Sequence, residues 1–265
     1  MKIVSIYLFA SLTVVAWAQQ SSTTLAAPSS KLYDSFNSPW LDQAKWVAVA
    51  PTCARTLECV REIQDGKLRL VLRNVGYSDV DSGDQFSYDE LFFSNPAAVN
   101  SIETDVTVKA FTGAECSTNP QAWTHASVEI GGNYFNTGTG SPYDDVADIV
   151  ALVVDPGAPK VVNVSNWLWG PNLGGVSTDM GNYPLGIPLT VKITWDPTNH
   201  RFTSSVYVKG DPGRGKQVAV PYYVSDVTPP AQLMRHLDAA VDTANCTTAQ
   251  PVSQVEAFYD NVKVK

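Results

Sequence analysis

Histidine, cysteine and positive charge are all scarce in this sequence, and each shortage argues against a class of protein. The three histidines, His125, His200 and His236, are scattered through 265 residues and form no zinc spacing. Eighteen Lys and Arg stand against 26 Asp and Glu, a net charge of −8 that disfavours nucleic acid or an anionic membrane as partner. After the first residues, no apolar run approaches the ~20 residues that a transmembrane helix needs. A Gly-x-Ser-x-Gly nucleophile elbow is also missing.

The four cysteines are few but even in number. Residues 1–18 read as a secretory signal peptide, with Lys2, an apolar core over 3–15 and the small-x-small site Ala16-Trp17-Ala18. Residues 19–31 are small and polar, a flexible leader, and 32–265 form a single domain. Export to the extracellular space, or to the periplasm or surface of a bacterium, permits two disulfides. Three pairings can be drawn. Cys53–Cys59 with Cys116–Cys246 is favoured, because each bridge joins loops rather than strand interiors.

Alternation is what the sequence has in plenty. In 99–111, Ile102, Thr104, Val106, Val108 and Ala110 face one way and Ser101, Glu103, Asp105, Thr107 and Lys109 the other, the period of a half-buried strand. Leu68, Leu70 and Leu72 repeat the pattern, as do Ala126, Val128 and Ile130 opposite His125, Ser127 and Glu129. Residues 148–155 are apolar on both faces, which suits a central strand. Phe36, Trp40, Leu41 and Trp46 are core candidates near the start, and 76–90 reads as an acidic loop. Residues 229–248 read as irregular, with a helical turn around 233–240. About ten short strands without an amphipathic helix predict an all-β, two-sheet antiparallel sandwich.

Four stretches carry a resemblance. The opening F-N-S-P-W-L-D-Q-A-K-W at 36–46, D-G-K-L-R-L at 65–70, I-T-W-D at 193–196 leading to Phe202, and F-Y-D-N-V-K-V at 258–264 are similar to motifs of concanavalin A-like lectin/glucanase domains, the laminin G and laminarinase-like jelly rolls. The resemblance implies a jelly-roll β-sandwich with adjacent first and last strands. It also places any ligand on the concave face or its loops. The laminarinase-like glycosidases of that superfamily carry E-x-D-x-E or E-x-D-x-x-E on one strand, with two carboxyl groups about 5 Å apart. Glu103-Thr104-Asp105 matches the first half, but Thr107 and Val108 stand where the second Glu belongs. No complete catalytic set is therefore assigned. A hydrolase would have to assemble carboxylates from distant strands, with Glu103, Asp105 and Glu129 as candidates.

Other clusters suggest binding. Trp167 and Trp169 share one strand face, and paired indoles hold sugar rings by their apolar C–H faces; Trp123, Tyr134 and Tyr143 are further aromatic candidates. Residues 79–90 place acids at positions 1, 3, 6, 11 and 12 of a twelve-residue stretch. The order departs from an EF-hand, but Asp79, Asp81, Asp84 and Glu90 could furnish a looser calcium site. His125, Ser127 and Glu129 stand about 7 Å apart in sequence along one strand, too far for a nucleophile and its base. The favoured reading is a secreted, non-catalytic carbohydrate-recognition protein. A polysaccharide-active glycoside hydrolase and a secreted structural protein without a small ligand are the alternatives.

Overall fold

The computed structural model describes residues 30–48, 52, 56–171, 173 and 175–265. The residues read as a signal peptide, most of those read as a leader, and Cys53 lie outside the described residues. Fifteen strands are present among them: β1 (Lys31–Asp34), β2 (Trp46–Ala48), β3 (Thr56–Gln64), β4 (Lys67–Val75), β5 (Asp84–Phe93), β6 (Ser101–Thr112), β7 (His125–Asn136), β8 (Asp145–Val154), β9 (Val161–Trp169), β10 (Val176–Pro184), β11 (Leu189–Asp196), β12 (Arg201–Val208), β13 (Asp211–Pro221), β14 (Arg235–Ala244) and β15 (Val252–Val264). Three short 3-10 turns are the helical content of these residues.

The strands form two antiparallel sheets, a jelly-roll β-sandwich. One is eight-stranded, in the order β13-β12-β11-β6-β15-β4-β3, with β1 also on β15. The other is seven-stranded, β10-β9-β8-β7-β14-β5-β2. The first and last strands are adjacent, Lys31 opposite Val264.

Alternation decides which face of each strand is covered. Leu68, Leu70, Leu72, Ile102, Val106 and Val191 from the larger sheet meet Leu91, Val128, Ile130, Val150, Leu152 and Leu237 from the smaller, all in one core. At roughly 25 cal/mol per Å² of apolar surface, each such side chain contributes about 1.5–3 kcal/mol. In β6 the expected phase holds through Val108 and then slips. A register shift opposite Glu256 and Ala257 leaves Ala110 partly exposed and turns Phe111 inward.

Three local expectations are corrected. Trp40 is 79% exposed in a turn, whereas Phe36 and Trp46 are buried and Leu41 packs against the core. The acidic stretch 76–90 is a loop only up to Gly83; β5 begins at Asp84. The irregular segment at 229–248 contains neither a helix nor loose chain at its centre. β14 runs there, hydrogen-bonded to β7 on one side and β5 on the other. Leu237, Ala239 and Val241 point into the core while His236, Asp238, Ala240 and Asp242 take the outer face.

Cys116, which follows β6, is bonded to Cys246, which follows β14, so this bridge ties the two sheets together as expected. Cys59 is also disulfide-bonded, and Cys53, the partner assigned to it, lies outside the described residues. No helix among the described residues is long and apolar enough to cross a membrane.

Candidate functional site

The outer face of the seven-stranded sheet carries a groove of about 370 Å³. Its floor is apolar: Ala147, Ile149, Ala151 and Val153, the outward residues of β8. This explains why β8 reads as apolar on both faces. One wall is aromatic. Trp167 and Trp169, two apart on β9, stack with ring centroids 5.9 Å apart and planes within 15°. Trp169 is 53% exposed, and the Trp167 Nε1–H donates to Ser165 Oγ at 2.5 Å. Trp123 lies nearly parallel on the His125 ring, 3.8 Å between centroids, and Phe86 of β5 completes the rim.

The other half of the groove is acidic. Register places Glu90 of β5 directly opposite Asp238 of β14, and Asp238 directly opposite Glu129 of β7. Residues facing one another across antiparallel strands have Cβ atoms about 4.5–5.5 Å apart. Three carboxyl groups thus form one row across three neighbouring strands. On the same face of β14, His236 stands two residues before Asp238 and Asp242 four residues after it.

Beneath the row, the Tyr259 hydroxyl reaches through the core from β15. It lies 2.8 Å from the Glu129 carbonyl and 2.5 Å from the Asp238 carbonyl, sharing its single proton between them. That contact fixes the two strands where their acidic side chains meet.

Burial and like charge act together here. The Asp238 carboxyl is pushed well above the usual range, first by burial and then by the charges of Glu129 and Glu90. Burial raises Glu129 too; a hydrogen bond from Ser127 opposes the shift and the Glu90 charge adds to it. Glu90 is raised by burial and by Asp89, against the pull of Arg61. Arg61 itself is held by Asp89 and the Glu90 carbonyl. Burial, with Asp84 adding, pushes Asp242 up to about 7, and burial depresses His236 to about 4. These are protonation states that a neutral-pH groove can use.

The structure separates the sequence candidates. Glu103 and Asp105 point outward from the eight-stranded sheet, on the opposite side of the sandwich from Glu129, so the three cannot form one catalytic set. Glu103 is ion-paired with Lys263 at 2.8 Å and Lys192 at 3.5 Å. Asp105 is bound by Lys209 at 2.7 Å, Thr190 and Asn261. Tyr134 is a core residue, 1% exposed under the Arg235 guanidinium, and not a groove residue. A register shift between Asn133 and Phe135 turns Tyr134 and Phe135 both inward, defeating the alternation. Tyr143, 93% exposed, stands outside the groove lining.

Of the four calcium candidates, Asp79 and Asp84 are exposed, while Asp81 accepts the Thr247 N–H at 2.6 Å. Glu90 is six residues along β5 from Asp84, about 20 Å at strand rise, and lies opposite Asp238 instead. Sequence reasoning missed Asp238 and Asp242 as groove residues. The signal was present as Leu237, Ala239 and Val241 alternating with His236, Asp238 and Asp242.

A larger depression of about 540 Å³ on the eight-stranded side is lined by residues including Asn100, Lys192, Trp195 and Arg201. Its acid, Asp196, is already engaged by Arg201 at 3.4 Å and by Asn199. It holds no comparable unneutralised carboxylate.

No family model matches the sequence, and no curated protein matches it. Among solved structures the chain is similar to a β-glucanase of Bacillus licheniformis, with 13% identity, a TM-score of 0.42, and coverage of 90% of this chain and 98% of that one. It is also similar to winged bean acidic lectin complexed with methyl-α-D-galactose, at 11% identity and a TM-score of 0.39, covering 88% and 98%. The carbohydrate recognition domain of Emp46p follows at 13% identity and a TM-score of 0.41, covering 87% and 99%.

Proposed function

We propose that this is an exported carbohydrate-recognition protein whose groove on the seven-stranded sheet binds neutral or amino-sugar glycans without cleaving them. The observation that carries this reading is the stacked pair Trp167 and Trp169 over an apolar floor, facing a row of carboxyl groups. Sugar rings have apolar C–H faces and hydroxylated edges. A pyranose lying on the indoles would present its edge to Glu129, Asp238 and Asp242, which accept hydrogen bonds from hydroxyls or donate when protonated. The same acids, in a chain of net charge −8, repel uronates and sulfated sugars. The Cys116–Cys246 bridge suits the oxidising compartments where wall and surface glycans are met.

Calorimetric titration of the mature chain with an uncharged glucan oligosaccharide, a glucosamine oligosaccharide and a uronate oligomer tests this reading. Binding of either of the first two, absent for the third, is expected. Trp167→Ala and Trp169→Ala should each weaken it about tenfold to thirtyfold, the 1.4–2 kcal/mol of a truncated aromatic anchor, with an unchanged melting curve. Binding of none of the three ligands would leave a structural protein. Release of reducing ends by the wild type, abolished in Glu129→Gln, would replace recognition by hydrolysis at the Glu129–Asp238 pair.

A further inference from the structure

The acid row has a neighbour that glycan recognition does not need. His236 lies two residues from Asp238 on the same strand face, and Glu90 faces Asp238 from the next strand. One ligand-capable atom from each of the three lies within 4.8 Å of the others. His236 Nε2 is 3.6 Å from Asp238 Oδ2. Both side chains are deeply buried, each residue 7% exposed, yet His236 Nδ1 and Asp238 Oδ1 have no hydrogen-bond partner. A buried polar atom without a partner is destabilising by about 1–3 kcal/mol, so both groups have polar capacity that the fold itself leaves unused.

We propose that Glu90, His236 and Asp238 form a binding site for a borderline divalent transition metal ion of the zinc class, with one coordination position open to the groove. The inference goes beyond glycan recognition and does not depend on it. Residues i and i+2 on one strand, with the residue opposite on the next, make a triangle on one sheet face, which is the shape three ligands of a metal ion require. A tetrahedral ion with bonds of 2.0–2.1 Å sets its ligand atoms about 3.4 Å apart. The His236–Asp238 pair is already close to that, and rotation about the Glu90 side chain would supply the remaining ångström or so.

The donor set selects the ion. One imidazole nitrogen with two carboxylate oxygens suits zinc, whereas calcium takes six to eight oxygens and gains nothing from imidazole. Phe92 packs edge-on against the His236 ring, 5.6 Å between centroids at 84°, and holds it in place. Gly131 of β7 stands across from His236 and adds no side chain beside it. Charge agrees as well. Glu90 and Glu129 flank Asp238 on both sides, so a dication in the cluster would relieve their repulsion. The other cluster with ligand-capable atoms, Asp81 with Cys116 and Cys246, offers no such site, because its two sulfurs are bonded to each other.

The test uses the metal alone, without any glycan. Mature chain stripped with a chelator is titrated with Zn²⁺ against a chromophoric competitor, alongside Ca²⁺, while melting temperature is followed by circular dichroism. One equivalent of Zn²⁺ should bind saturably and raise the melting temperature by mass action. His236→Ala and Glu90→Gln should each lose at least tenfold to a hundredfold in Zn²⁺ affinity, while Asp242→Asn, outside the triad, should keep it. Absence of a saturable equivalent in the wild type would overturn the proposal, as would undiminished affinity in folded His236→Ala and Glu90→Gln. Should either variant fail to fold, Co²⁺ added to the wild type decides. An intense visible absorption of a low-coordinate nitrogen–oxygen site supports the assignment, and a weak octahedral spectrum contradicts it. Glycan titration of the same variants is read separately, so either proposal can fail without the other.

Discussion

The two outer faces of the sandwich carry similar acids and treat them oppositely. On the eight-stranded face four carboxylates have a cation beside them: Glu103 with Lys263 and Lys192, Asp105 with Lys209, Glu62 and Glu256 sharing Arg69. At Asp105, burial is outweighed by hydrogen bonds from Lys209, Thr190 and Asn261, and its carboxyl is held below the usual range. On the seven-stranded face, Glu129, Asp238 and Asp242 line the groove, with Glu90 beside Asp238, and all four are pushed up. The difference separates charge neutralised by its neighbours from charge held at a disadvantage by burial and like charge. An acid that raises the folded state's free energy at neutral pH persists where something else recovers it, and a bound ligand or ion does that.

The strongest way to break the comparison is to unfasten the faces from each other. Removing the Cys116–Cys246 bridge by a double serine substitution, which frees a loop with a sequence separation of 130, should lower unfolding free energy by about 5 kcal/mol in the chain-entropy view. Urea denaturation measures it. A loss under 1 kcal/mol would mean that the sheets hold each other without the bridge.

A pH series sharpens the contrast, because Asp242 and Asp105 shift in opposite directions. Asp242 titrates near 7 in the folded chain and near 3.9 when unfolded. Between those values the folded state binds more protons, so its contribution is full below about pH 4 and is lost as pH rises through 7. Asp105 is depressed, so its contribution is present above about pH 4 and is lost as pH falls through its folded value. Asp242→Asn should therefore raise stability at pH 8 by about 3 kcal/mol and change little at pH 4. Asp105→Asn should lower it at pH 8 by about 1–2 kcal/mol, with hydrogen bonds to a charged group lost. Thermal melts at both pH values read the pair, and equal signs at pH 8 would erase the distinction.

The smallest effect belongs to Glu103. Its salt bridges involve Lys263 and Lys192, side chains 41% and 37% exposed, where such pairs contribute about 1 kcal/mol or less. Glu103→Gln should shift the melting temperature by a few degrees at most and leave glycan affinity unchanged, as calorimetry would show.

Much of this was legible in the sequence, and the gaps have physical causes. Strands such as β6 and β7 announced themselves because branched apolar residues alternate with polar ones. The Trp167–Trp169 pair was readable because two residues apart on a strand means one face. β14 was missed because Ala, Asp and His are poor strand formers, and its alternation is hidden among small residues. That strand supplies Asp238, so the acid row vanished with it. Glu129 was noticed but matched with Glu103, since nothing local encodes which strand will lie beside β7. Tyr134 was misdirected by a bulge that alternation cannot foresee.

The central claim, that the seven-stranded face is the binding face, can be tested on the indoles themselves. The chain has seven tryptophans, of which Trp123, Trp167 and Trp169 line the groove. Trp40 is exposed in a turn, Trp46 is buried in the core, and Trp195 borders the depression on the eight-stranded side. Indole N–H resonances, assigned by single substitutions, are followed as an uncharged or amino-sugar oligosaccharide is added. The account predicts saturable shifts at Trp123, Trp167 and Trp169 with Trp40, Trp46 and Trp195 unmoved. Shifts at Trp195 or Trp40 with the three groove indoles unmoved would contradict it.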